Sequence, residues 1–96
     1  MPIIDLQSLT EQTIDFKWLD GEVIRVPQPS ARFINKVDRA ENTIPKAQEL
    51  VLEFLQTNKE KREFTKGEIE NLNSAQLTAI LMAVLGFAQE VDSHPN

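Results

Sequence analysis

From Thr13 to Pro27 apolar and polar residues alternate, with Ile14, Phe16 and Trp18 separated by Asp15 and Lys17. Asp20-Gly21 is a turn signal, and Val23-Ile24-Arg25-Val26 resumes the apolar run. Alternation around a glycine turn predicts a β-hairpin. Its register follows from the pattern. A two-residue loop pairs Phe16 with Arg25 and puts Ile24 and Val26 on the opposite face. A three-residue loop, with Gly21 left-handed, pairs Phe16 with Ile24, Ile14 with Val26 and Asp15 with Arg25. A slip of one residue flips a strand's faces, so the pattern selects the second option. It yields one apolar face of Ile14, Phe16, Trp18, Ile24 and Val26. An isolated hairpin is marginal in water, so this face must pack on helices.

Pro27-Gln28-Pro29 ends the strand, because proline cannot extend a ladder. The period then changes to helical. Ser30 caps a helix over about residues 30–41 with Phe33, Ile34, Val37 and Ala40 on one side. Asn42-Thr43 interrupts it, and Thr43 with Pro45 opens a second helix over about 44–57. That helix carries Ile44, Ala47, Leu50, Val51, Phe54 and Leu55 on one face. The apolar phase runs smoothly through the interruption, so one long helix kinked near Pro45 is the alternative. Residues 57–62 read as a polar connection, with Lys59 to Glu63 as a solvated loop of alternating charge. Thr65 and Glu68 predict a short capped turn over about 66–71, weakened by Gly67. Asn73, Gln76 and the pair Leu72 and Leu77 mark the start of a last helix over about 74–91. The expected fold class is α+β, mainly helical: an N-terminal two-stranded antiparallel hairpin packed on three or four helices. Residues 1–96 form one expected domain.

The last helix departs from an ordinary amphipathic pattern. No charged residue occurs from Ala75 to Gln89. Its main stripe is Leu77, Ile80, Leu81, Val84, Leu85, Ala88 and Val91, flanked by Phe87. The other side carries Ala75, Ala79, Ala83 and Gly86, with Met82 beside them. A helix apolar nearly all round is expected to be buried nearly all round. Either the other elements surround it, or its small-residue side is a contact face for another chain, since small residues allow close helix approach. The candidate interface is therefore Ala75, Ala79, Met82, Ala83 and Gly86, with off-stripe Leu52 of the second helix.

Composition narrows the chemistry. With 96 residues, 15 acidic and 10 basic, the net charge is −5. That balance disfavours nucleic acid and anionic membrane as partners. There is no cysteine, so disulfides and thiol chemistry are excluded. The first twelve residues lack the basic start and apolar run of a signal peptide, though Ile3, Ile4, Leu6 and Leu9 are open to docking as a short arm or to fraying. The apolar run Ala79–Ala88 is shorter than the ~18 residues of a membrane span. A cytoplasmic chain is expected. The single histidine, His94, has neither a second histidine nor a cysteine to share a metal. Gly21, Gly67 and Gly86 form no phosphate-binding loop. Glu68 and Glu70 point apart on one helical turn. Arg32, Lys36 and Arg39 form a basic stripe that suits an acidic segment but reads first as a solvated face. Trp18 reads as core rather than as a ligand platform. The expectation is a non-enzymatic protein without cofactor or metal.

The order of these features resembles the tail assembly chaperones of long-tailed bacteriophages and prophages. The likeness rests on the lead-in Ile3-Ile4-Asp5-Leu6 and the hairpin segment from Asp20-Gly21-Glu22 to Pro27. Pro29-Ser30, an acidic helical body and the closing Leu72-Asn73-Ser74-Ala75-Gln76-Leu77 with its apolar helix complete it. It spans nearly the whole chain, although each piece is common. What the resemblance implies is a small, acidic, multimerising protein of the host bacterial cytoplasm. Such proteins coat the tape-measure protein before the tail tube polymerises around it, and the tail-tube protein is a further expected partner. No catalytic residue transfers from the family. Two other classes stay open: a small acidic regulator of antitoxin or inhibitor type, and an adaptor subunit of a larger assembly. The absence of a helix-turn-helix signature counts against a DNA-binding antitoxin.

Overall fold

The computed structural model describes residues 3–6 and 12–92, with side chains described up to Gly86. Two strands, β1 (Thr13–Lys17) and β2 (Val23–Pro27), are followed by four helices. These are α1 (Ala31–Asp38), α2 (Ile44–Leu55), α3 (Lys66–Glu70) and α4 (Ser74–Asp92). The class is α+β, as the patterning predicts.

The hairpin adopts the register with the longer loop. Ile14 pairs with Val26, Asp15 with Arg25 and Phe16 with Ile24. The Trp18 N–H donates to the Glu22 carbonyl at 2.7 Å, and the Gly21 N–H donates to the Trp18 carbonyl at 2.9 Å. Gly21 sits at φ 90°, a conformation that side-chain-bearing residues rarely adopt. The apolar face is set inward: Trp18, Ile24 and Val26 are buried, while Ile14 and Phe16 pack half-buried against the same cluster.

Each helix start is capped by its own sequence. Ser30 Oγ accepts from the Phe33 N–H, and Thr43 Oγ1 accepts from the Lys46 N–H. Thr65 and Glu68 form a reciprocal capping box despite Gly67. Asn73 and Gln76 form another, each backbone N–H donating to the other side chain at 2.8 Å. Leu72 and Leu77, the residues flanking that start, are both buried.

The alternative of one long kinked helix is not what forms. α1 stops at Asp38, Arg39 caps it, and four further residues separate it from α2. Thr43, at φ −127° and ψ 153°, is extended, which no continuous helix permits. The smooth apolar phase across the gap arises because both helices face one core. Ile44 does not share that burial. It is 51% exposed at the first position of α2.

The core gathers Leu50, Val51, Phe54 and Leu55 of α2, Val37 of α1, Ile69 of α3, and Leu77, Ile80 and Val84 of α4 around the hairpin face. Phe54 is the aromatic junction: its ring stacks on Phe33 at 5.7 Å and meets the Phe16 ring edge-on at 6.2 Å. α2 packs against both α3 and α4, and α1 packs against α4.

Lys59, Glu60, Lys61 and Glu63 are exposed, as expected of a solvated loop, but the segment is also docked on the hairpin, and Asn58 and Phe64 on either side of it are buried. The Lys59 N–H donates to the Arg25 carbonyl at 2.8 Å, and Glu60 accepts from the Arg25 backbone and side chain at 2.9 and 2.7 Å. Phe64 is buried against Trp18, ring centroids 4.9 Å apart. Asn58 is 5% exposed. Glu60 and Arg62, while partly open to solvent, reach toward the hairpin, because each meets an opposite charge there across a short gap.

Candidate protein-binding surface

α4 has two different sides. Leu77, Ile80 and Val84 are buried, with Leu81 and Leu85 half-buried beside them. Ala75 and Ala79 are exposed, and Met82 is 53% exposed. Ala83 and Gly86 are half-buried. The spacing of 75, 79, 82 and 86 brings these residues to one side of the helix, opposite the core stripe. The helix is therefore not surrounded at these described positions. The stripe residues Phe87, Ala88 and Val91 have side chains outside the described set.

A groove flanks this outward strip on each side. One, about 280 Å³, lies between α4 and the α1–α2 corner, with Ala40, Ile44, Ala47, Leu81, Met82 and Leu85 among its lining. Ile44 and Met82 form its exposed apolar rim. The other, about 160 Å³, lies between α4 and the hairpin end, lined by Phe16, Trp18, Leu19, Leu72, Ala79 and Ile80 among others. Leu19, at the hairpin turn, is 63% exposed. Trp18 thus serves the core and also borders this groove.

The remaining candidate, Leu52, is half-buried and packs against the core cluster. It is on α2, and the grooves beside α4 are not lined by it. The basic stripe of α1 is exposed along its length, but it is not uniformly available. Lys36 Nζ lies 2.7 Å from Glu53 of α2, and that hydrogen bond raises the Lys36 pKa. One of three cations is already answered by the chain itself, which weakens the stripe as a site for an acidic segment.

A second charged cluster ties the hairpin to the rest. The Arg62 guanidinium lies 3.0 Å from Asp20, 3.2 Å from Glu22 and 3.6 Å from Glu68. It also lies over Trp18 and Phe64, 5.7 and 5.1 Å from the ring centroids. A cation held by three carboxylates and two rings is a structural clasp, and sequence spacing alone gives no sign of it. The Glu22 N–H hydrogen bond holds the Asp20 pKa below its ordinary value, helped by Arg62. The Arg25 N–H and guanidinium do the same for Glu60. Groups with lowered folded pKa values stabilise the fold above their ordinary values, and that contribution is lost as pH falls through the folded values. The melting temperature is therefore expected to fall on acidification below the ordinary carboxylate values of 3.8 and 4.5. Melts of a Glu60→Gln variant are expected to show a shallower acid dependence. An equally steep decline would remove Glu60 from the account.

Among the described residues no group of His, Asp or Glu is arranged to hold a metal ion, and no helix is long and apolar enough to cross a membrane. His94 lies outside the described residues. Every buried side-chain nitrogen or oxygen among them has a hydrogen-bond partner. What the arrangement offers beside α4 is apolar contact area. No family model, curated protein or solved structure matches this chain.

Proposed function

We propose that this protein is a non-enzymatic assembly chaperone of the phage tail type, which holds a helix-rich partner of the tape-measure kind in the bacterial cytoplasm. The observation that carries the reading is the uncharged outward strip of α4, with Ala75, Ala79 and Met82 exposed between two apolar grooves. An amphipathic helix docks by laying its apolar side into such a groove, and small residues on the receiving helix let the backbones approach. A net charge of −5 keeps a protein with exposed apolar surface dispersed. The order of lead-in, hairpin, acidic body and apolar closing helix supports the same class.

The reading requires a long, helix-rich product to be encoded beside this reading frame, and the experiment is to sequence the flanking DNA and test capture of such a product. Wild type is expected to co-purify with it, and Ala79→Lys is expected to weaken capture by about tenfold or more. Ala79 is exposed on a helix, so the variant should stay within about 0.5 kcal/mol of wild-type stability. Undiminished capture would exclude the strip. A neighbouring toxin-like or metabolic gene in place of a long helical product would remove the tail reading.

A further inference from the structure

Of the two edges of the hairpin, one is covered and the other is bare. The Trp18 N–H bonds the Glu22 carbonyl, so the backbone groups of every second residue before it, Phe16 and Ile14, also face β2. Those of Thr13, Asp15 and Lys17 face away from β2, and those of Arg25 face away from β1. On the β2 side the chain answers Arg25 itself: its carbonyl accepts from the Lys59 N–H, and its N–H donates to Glu60. On the β1 side, among the described residues, no hydrogen bond reaches the backbone of Thr13, Asp15 or Lys17. The groove of about 160 Å³ beside α4 opens along this bare edge. Its hairpin wall is Phe16, Lys17, Trp18 and Leu19, no residue of β2 lines it, and its far wall includes Ala79 and Ile80 of α4. Successive side chains of an extended chain point to opposite faces, so Phe16, Lys17 and Trp18 line one groove together only where it runs past the strand's edge.

We propose that β1 takes an extended segment of a partner protein as a third strand, with apolar side chains of that segment set into the groove toward α4. The chemistry of the occupant follows from the edge. A row of unpaired backbone donors and acceptors is matched by an extended main chain, which a helix cannot offer because its own backbone groups bond within it. Side chains alternate along a strand, so the occupant is apolar at every second position, toward the groove, and polar between, toward solvent. Charge selects among the polar positions. Lys17 is exposed and in no ion pair among the described residues, and its cross-strand neighbour is the uncharged Val23. Asp15, by contrast, accepts from Thr13 Oγ1 at 2.6 Å and pairs across the ladder with Arg25. The solvent side of the added strand therefore carries a carboxylate beside Lys17, where opposite charges on adjacent strands attract. This strand-adding mode is distinct from the helix-holding one and stands whether or not α4 receives a helical client.

The probe is a capped, fluorescein-labelled heptapeptide in which valines alternate with threonine, a central glutamate and threonine. It is expected to bind saturably, with a Kd on the order of 100 µM by fluorescence anisotropy. Amide exchange followed by NMR reads the edge directly. The Thr13, Asp15 and Lys17 amides are expected to exchange freely in the protein alone and about tenfold or more slowly with saturating probe, while those of Ile14 and Phe16 are protected throughout. N-methylation of one alternate set of probe amides is expected to abolish binding, and of the other set to leave the Kd within about threefold. Lys17→Glu, at an exposed position, is expected to weaken binding about threefold or more, and a lysine-centred probe to restore it. The proposal is overturned if no saturable binding occurs up to about 2 mM probe. It is also overturned if the edge amides are not slowed, or if both methylated probes bind alike, which would mean packing in the groove without strand addition. Edge amides already protected in a wild type that sediments as a dimer would assign the edge to a second copy and overturn it too. Loss of capture of a helical client with these results intact would remove the chaperone reading alone.

Discussion

Replacing Phe54 with alanine is expected to lower the unfolding free energy by about 3–5 kcal/mol, the usual cost of deleting a buried phenylalanine. Phe54 is 3% exposed and is the one ring that contacts both Phe33 of α1 and Phe16 of β1. Its removal opens a cavity at the point where hairpin, α1 and α2 converge, and it also deletes two aromatic contacts. Those neighbours are anchored on three different elements, so collapse into the space is restricted and the larger end of the range applies. A small domain has a total stability of only about 5–15 kcal/mol, so the loss is a large share. Urea denaturation followed through Trp18 fluorescence reads it directly. A loss below about 1 kcal/mol would show that the three elements are held together elsewhere.

Asn58→Ala is expected to cost about 2–4 kcal/mol, which is unusual for a residue in a charged loop. The side chain is buried and makes three hydrogen bonds. Its Nδ2 donates to the Leu55 carbonyl at 2.7 Å and to the Arg62 carbonyl at 2.8 Å. Its Oδ1 accepts from the Arg62 N–H at 2.8 Å. Alanine leaves two carbonyls and one N–H without these partners, and it frees the turn in which Lys61 adopts φ 56°. Asn58→Asp discriminates the hydrogen bonds from simple packing. The carboxylate keeps the acceptor but directs negative charge at two carbonyl oxygens, so it should be no better than alanine. An aspartate variant with wild-type stability would sink this account. The loop also sets Arg62 over Trp18, so the same variants are expected to alter tryptophan emission before global unfolding.

The two substitutions differ in how far the sequence announces them. Phe54 falls on a helical stripe with Leu50, Val51 and Leu55, and a stripe of that kind must face a core whatever surrounds it. Asn58 lies beside a stretch of five charged residues from Lys59 to Glu63, which local reasoning assigns to solvent. Only the approach of the hairpin, more than thirty residues earlier in the chain, turns Glu60 and Arg62 into partners for Arg25, Asp20 and Glu22. Charge alternation within a loop carries no record of which distant charge it will meet.

The candidate surface divides in the same way. The absence of charge from Ala75 to Gln89 marks α4 as unusual in the amino-acid sequence itself. Which side of it stays uncovered depends on the other elements. The positions Leu77, Ile80 and Val84 are buried in the shared core, and nothing among the described residues buries Ala75, Ala79 or Met82. Leu52 illustrates the converse. It looks off-stripe in the sequence, yet the core extends far enough round α2 to half-bury it.

Local order in this protein is written locally. Alternation with a glycine turn determined the hairpin and its register, because one residue of slip would put half of the apolar side chains in water. Serine, threonine and asparagine caps determined where helices begin, because each satisfies amide donors only a few residues away. The tertiary structure alone decided the separation of α1 from α2 and the docking of the Asn58–Phe64 loop on the hairpin. It also decided the exposure of Ile44 and the two grooves beside α4. These depend on which distant surfaces meet, and a residue's burial is a property of what arrives next to it rather than of its own place in the chain.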